Sequence, residues 1–140
     1  MLFRSNAPAY IEGSADVRKA ARDIITGKTF DNGVLCSSEN SVVVDESVAE
    51  DARKEFLALG GYFLQPSEMD TLAKVFVTPQ RLPNPQFVGK SAAHIAQQAG
   101  IAVPEGTRVL IAPLAGVGRD YPLSIEKLAP LAEAPRSLTR

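Results

Sequence analysis

The stretch "VPEGTRVLIAPLAG", Val103 to Gly116, decides the fold class. Pro104 and Gly106 make a turn, and Val109 to Ala112 then form a continuous apolar run with no polar partner in alternation. A strand that is apolar on both faces must be covered on both faces, which is the composition of a parallel sheet layered by helices. Working outward, the neighbouring segments supply those helices. Ser91 opens "AAHIAQQAG", where Ala92, Ile95, Ala96 and Ala99 line one side and Gly100 closes it. "PSEMDTLAKVF" begins with Pro66 and Ser67, which suit a helix start, and Pro79, Pro83 and Pro85 mark an irregular connection beyond it.

Nearer the N-terminus, "SADVRKAARDIITG" places Val17, Ala20, Ala21, Ile24 and Ile25 at helical spacing. Ser14 is its candidate cap, Asp16 falls in its first turn and Gly27 is its expected stop. "SVVVDE" from Ser41 predicts a β-branched strand, and Val48, Ala52, Phe56 and Leu59 share one face of a helix ending at Gly60 and Gly61. "YFL" is a short candidate strand. Helices alternating with short apolar strands predict an α/β layer structure with a mostly parallel sheet and flanking helices, in a single domain over residues 1–140.

Composition excludes several functions. Fifteen basic residues against sixteen acidic ones, with no basic block, leave no electrostatic footprint for nucleic acid or an anionic membrane. No apolar run reaches spanning length and no secretory pattern opens the chain, so a cytoplasmic location is expected. One cysteine and one histidine do not make a zinc set, and no metal is expected. "GVGRD" follows an apolar strand but lacks the third glycine and leads into "YPLS", so it is no dinucleotide fingerprint.

The single cysteine lies in "KTFDNGVLCSSENSVVVDE", Lys28 to Glu46. Free cysteine is among the most buried residue types, so an inert core thiol is one reading of Cys36. The other is a nucleophile, because the position between a helix and a strand can keep a thiolate accessible and set backbone amides around a developing oxyanion. Asp31, Asn32 and Gly33 suit a tight turn that would aim the loop.

This segment resembles the catalytic-cysteine segment of CoA-acylating aldehyde dehydrogenases. "NAPAYIEGSADVRKAARDII" resembles the block before that cysteine, and "FVGKSAAHIAQQAGIAVPEGTRVLIAPLAGVGRDYPLSIEKLAP" the block after it; the resemblance spans about residues 6–133. It implies part of an aldehyde dehydrogenase catalytic domain, with the NAD-binding domain absent. By the same resemblance Cys36 is the catalytic nucleophile, Glu126 in "SIEKLAP" contacts the nicotinamide ribose hydroxyls, and Asn6 in "SNAPAY" lies near the nicotinamide end of the site. NAD, with NADP as the alternative, is the implied cofactor, CoA the co-substrate and a small aldehyde the substrate. The chain reads as truncated at both ends relative to the family, which exposes apolar faces and leads us to expect self-association.

Other residues have plainer readings. His94 is expected to be a solvated helix residue, Glu39 a structural residue rather than a base, and Asp31 and Asn32 turn formers. Lys90 and Ser91 could hold a phosphate at a helix start, although a serine cap alone accounts for Ser91. Two further functions compete with the dehydrogenase: an inactive remnant or interaction module of the same fold, and a small thiol acyltransferase using His94 as base.

Overall fold

A computed structural model describes residues 6–135. Five strands, β1 (Pro8–Ile11), β2 (Ser41–Val44), β3 (Gly61–Phe63), β4 (Val109–Leu114) and β5 (Leu131–Pro135), form one sheet in the order β1-β2-β5-β4-β3. Every pairing within it is parallel, as the apolar run at Val109 predicts. Four α-helices cover it: α1 (Val17–Thr29), α2 (Ala49–Ala58), α3 (Pro66–Phe76) and α4 (Ala92–Gln98).

The strand order explains which face each helix covers. The chain moves one way across the sheet from β1 through β2 to β3, and back the other way to β4 and β5. Crossovers of one hand therefore put α1 and α2 on one face and α3 and α4 on the other. Strand β4 shows the consequence residue by residue: Val109 and Ile111 pack with Ile25, Ala52 and Phe56, whereas Leu110, Ala112 and Leu114 pack with Leu72, Phe76 and Ile95. The period of two along a strand divides one apolar run between two cores. Phe76 and Leu72 are completely buried, and Phe76 stacks on Phe87 with ring centroids 5.7 Å apart. Burying one such side chain contributes roughly 1.5–3 kcal/mol.

Helix starts follow local chemistry. Gln65 and Glu68 form a capping box ahead of Pro66, and Ser91 Oγ accepts the His94 N–H at the start of α4. Helix α1 corrects two expectations. Its cap is Asp16, whose carboxylate accepts the Lys19 N–H at 3.0 Å, while Ser14 instead donates to Glu12. Nor does Gly27 stop it, because the helix continues to Thr29. The glycine makes room: a β-carbon there would lie 2.8 Å from Glu39 Oε2.

Two strands lie outside the sequence expectations. β1 is a four-residue edge strand beginning at a proline, and β5 is interrupted by Glu133, yet β5 takes the centre of the sheet between β2 and β4. On the α1/α2 face an open apolar groove of about 500 Å³ runs over β5, lined in part by Ile24, Val44, Phe56 and Ala134. Among the described residues no helix is long and apolar enough to cross a membrane.

Candidate active site

Parallel strands share one amino-terminal edge, and the segments that carry the sequence-selected residues enter the sheet there. Asn6 precedes β1, Cys36 precedes β2 and Glu126 precedes β5; these are three consecutive strands in the sheet. The register aligns Pro8 with Ser41 and Ser41 with Glu133, so the three entry loops are neighbours although they lie up to 120 residues apart in sequence.

Cys36 is exposed, which removes the reading of an inert core thiol. The chain leaves α1 through a short 3-10 turn, Phe30–Gly33, in which Asp31, Asn32 and Gly33 all have positive φ, at 47°, 51° and 73°. Asx residues and glycine are the types that tolerate this region, so the turn chemistry expected of "FDNG" is met. Only glycine fits at position 33 for a second reason: a β-carbon would come within 2.6 Å of the Ala129 carbonyl oxygen. Asn32 Nδ2 donates to the Gly89 carbonyl at 3.1 Å and ties the turn to the segment before α4. A second turn follows, closed by the Ser38 N–H donating to the Leu35 carbonyl at 3.0 Å, and Cys36 sits on its outer corner. Phe30 and Leu35 beside it are exposed as well.

Below this turn lies a buried polar cluster that the sequence reading did not find. Lys28, Ser38, Asn40, Lys127 and Glu133 are all nearly inaccessible to solvent. Lys28 Nζ donates to Asn40 Oδ1 at 2.7 Å and to Ser38 Oγ at 3.4 Å. Lys127 Nζ donates to the Ile125 carbonyl at 2.8 Å and to Glu133 Oε2 at 3.3 Å, and Asn6 Nδ2 reaches Glu133 Oε1 at 3.4 Å. Asn40 is the hub. Its side-chain oxygen accepts from Lys28, and its carbonyl accepts the Glu133 N–H at 2.8 Å. Burial pushes the Lys28 ammonium down to about 7, helped by the charge of Lys127 and opposed by Glu39, Glu126 and Glu133. Burial also pushes Lys127 down to about 8, against the pull of Glu133. One signal for Lys28 was present in the sequence: it continues the spacing of Ala21, Ile24 and Ile25 on the buried face of α1.

Asn6 and Glu126 line one cleft of about 410 Å³ together with Arg81, Arg119 and Ser124. Arg81 closes its wall, its guanidinium donating to the Arg119 carbonyl at 2.7 Å and the Gly118 carbonyl at 3.2 Å. Thus the structure brings Asn6 and Glu126 into one cavity, while Cys36 stands on the adjacent loop and is not part of the cleft lining. A half-buried carboxylate open to such a cleft can accept two hydroxyl hydrogen bonds. Glu39 is half-buried against Gly27, its charge directed at Lys28. His94 is exposed on α4, as expected. Among the described residues no group of three or more His, Cys, Asp and Glu side chains is placed to hold a metal.

The all-parallel sheet with helices on both faces, and an exposed cysteine on the loop entering its second strand, define a layered α/β protein with a candidate thiol site. No protein-family model matches the chain. Aldehyde-alcohol dehydrogenase of Streptococcus pneumoniae is 39% identical over 143 residues, covering 96% of this chain and 16% of its own length. A probable aldehyde dehydrogenase of Listeria monocytogenes superposes with a TM-score of 0.93 at 43% identity, over 99% of this chain and 30% of that one. A propionaldehyde dehydrogenase of Rhodopseudomonas palustris, solved with bound CoA and an acylated cysteine, superposes with a TM-score of 0.85 at 26% identity, over 95% and 30% of the two chains. The chain belongs to the acylating aldehyde dehydrogenase family, and it spans about a sixth of the length of the first of these relatives.

Proposed function

We propose that this chain is the catalytic-cysteine portion of a CoA-acylating aldehyde dehydrogenase, converting an aldehyde, CoA and NAD to acyl-CoA and NADH. The observation that carries the reading is the place of Cys36: an exposed thiol on a loop aimed by three left-handed residues, entering the strand that lies between the two strands preceded by Asn6 and Glu126. The thiolate sulfur of Cys36 bonds to the aldehyde carbon, and the CoA thiol later displaces it, so the acyl group leaves as a thioester and the cysteine is restored. Bound NAD, or NADP, supplies the hydride acceptor. Glu126 would hold ribose hydroxyls through its carboxylate, with Asn6 at the nicotinamide end of the same cleft. Support comes from the relative that carries CoA and an acylated cysteine on the same fold. A cytoplasmic location and self-association belong to this proposal; sedimentation over a concentration series measures the latter.

A second reading, an inactive module with the same fold, is favoured by one feature, the absence of Cys36 from the Asn6–Glu126 cleft lining. Intact-mass measurement after exposure to acetyl-CoA separates the two, because thioester exchange needs the thiol and CoA but no NAD. Gain of one acyl group by the folded chain, absent in Cys36→Ser and in denatured chain, is the expected result. No gain beyond the denatured control would leave the inactive module standing.

A further inference from the structure

The buried cluster is hydrogen-bonded to the inner end of the loop that carries Cys36. The turn that presents the thiol, Leu35 to Ser38, has a single hydrogen-bonded closure, and its outer residues Leu35, Cys36 and Ser37 are exposed. Its inner end is different: Ser38 is 4% exposed and Asn40 is 1% exposed. Both are held by the same group, the Lys28 ammonium, at 3.4 Å and 2.7 Å. Asn40 Nδ2 in turn donates to the Ser38 carbonyl at 3.3 Å, and Ser38 Oγ reaches the Gly33 carbonyl at 3.5 Å, so the two ends of the Cys36 loop are joined through Ser38.

We propose that Lys28 is a positioning residue for Cys36: its ammonium anchors the thiol-bearing turn from below through Ser38 and Asn40, and loss of its proton or of its donors loosens that turn. The inference rests on the reading of Cys36 as the reacting thiol. A charged lysine costs free energy in a buried site, so a lysine at this position needs a compensating role. A residue of the same length without a charge would fill the space at less cost. The groups facing Lys28 are Lys127 and Glu126 from the segment before β5, Glu133 from β5 itself, and Glu39 from the Cys36 loop. Burial is the main cause that lowers Lys28 to about 7; the Lys127 charge adds to it, and Glu39, Glu126 and Glu133 oppose it.

The experiment compares two reactions of Cys36 in the full chain from about pH 6 to about pH 9. Acylation by acetyl-CoA needs the thiol held in register with a bulky thioester, whereas alkylation by iodoacetamide needs only an exposed thiolate. Lys28→Met is expected to lose acylation by about tenfold relative to alkylation at pH 6, and wild type to approach the Met variant as pH rises through about 7. Lys28→Arg, which keeps donors and charge, is expected to hold the ratio level across the range. Amide hydrogen exchange at residues 36–39 should be about tenfold faster in Lys28→Met than in wild type, with α3 and α4 unchanged. An acylation-to-alkylation ratio and loop exchange equal to wild type in a folded Lys28→Met chain would overturn the proposal. If the Met variant does not fold, Ser38→Ala, which removes one anchor at small steric cost, carries the same comparison. If wild type takes no acyl group at all, the catalytic reading fails, and loop exchange alone decides the role of Lys28.

Discussion

Lys127 Nζ and Glu133 Oε2 stand 3.3 Å apart in the centre of the molecule, both almost wholly out of solvent. Glu133 lies on β5, whose neighbours β2 and β4 close it in from both sides, and Lys127 reaches it from six residues earlier. Two charges removed from water gain little by being paired, but either one left alone is expensive. Glu133→Ala is therefore expected to lower stability by about 3–5 kcal/mol, as the cost of an uncompensated ammonium. Adding Lys127→Met to Glu133→Leu should recover most of that loss. Urea unfolding of the single and double variants reads both numbers.

Stability should also depend on pH in a defined direction. Lys28 and Lys127 lose their protons at about 7 and about 8 in the folded chain, below their ordinary value of 10.5. Between those values the unfolded chain binds more protons, so unfolding becomes harder as pH rises. Below about 7 Lys28 carries a proton in both states and the penalty of burying its charge is fully present. Chemical denaturation at about pH 8 and about pH 9.5 should show the chain more stable at the higher pH, by at most about 1.4 kcal/mol per pH unit for each lysine. Lys28→Met is expected to halve that slope; an unchanged slope would assign the effect to other groups.

Gly33 tests the turn before Cys36. Its φ of +73° strains any other L-residue, and a β-carbon would meet the Ala129 carbonyl oxygen at 2.6 Å. Gly33→Ala is expected to cost about 1–3 kcal/mol, and to reduce acyl transfer to Cys36 by more than the lost stability explains. Thermal unfolding and acyl-CoA exchange measured on the same sample separate the two effects.

The core makes a simpler test. Phe76 is completely buried and stacked on Phe87, joining α3 to the irregular segment before α4. Phe76→Ala should destabilise the chain by about 3–5 kcal/mol, whereas Leu57→Ala, at an exposed site on α2, should change stability by less than about 0.5 kcal/mol. Similar losses at both positions in denaturant unfolding would contradict the layer assignment.

Much of this fold was legible in order along the chain. Helices at Val17, Ala49 and Ala92 announce themselves through apolar spacing, the helix at Pro66 through its proline and serine start, and β2 and β4 through unbroken apolar runs. β1 and β5 carry no such pattern. β1 is short and lies at an edge, and β5 has a carboxylate in mid-strand, which reads as surface until Lys127 is seen beside it. The same limit applied to Gly27. A glycine near the end of a helix reads as a stop, but here the helix continues and the missing β-carbon serves the carboxylate of Glu39, twelve residues on.

For the site, the sequence by itself singled out the candidate residues: one cysteine, a turn able to adopt positive φ before it, and a carboxylate and an amide in segments resembling one enzyme family. That information is local, carried by residue type and short spacing. Only the tertiary structure decided that Asn6, Cys36 and Glu126 share one edge of the sheet, that Asn6 and Glu126 share a cleft without Cys36, and that Lys28 lies beneath the thiol. Those relationships depend on β5 entering between β2 and β4, a pairing of strands about ninety residues apart set by how the apolar faces are buried together, which no short stretch of the chain encodes.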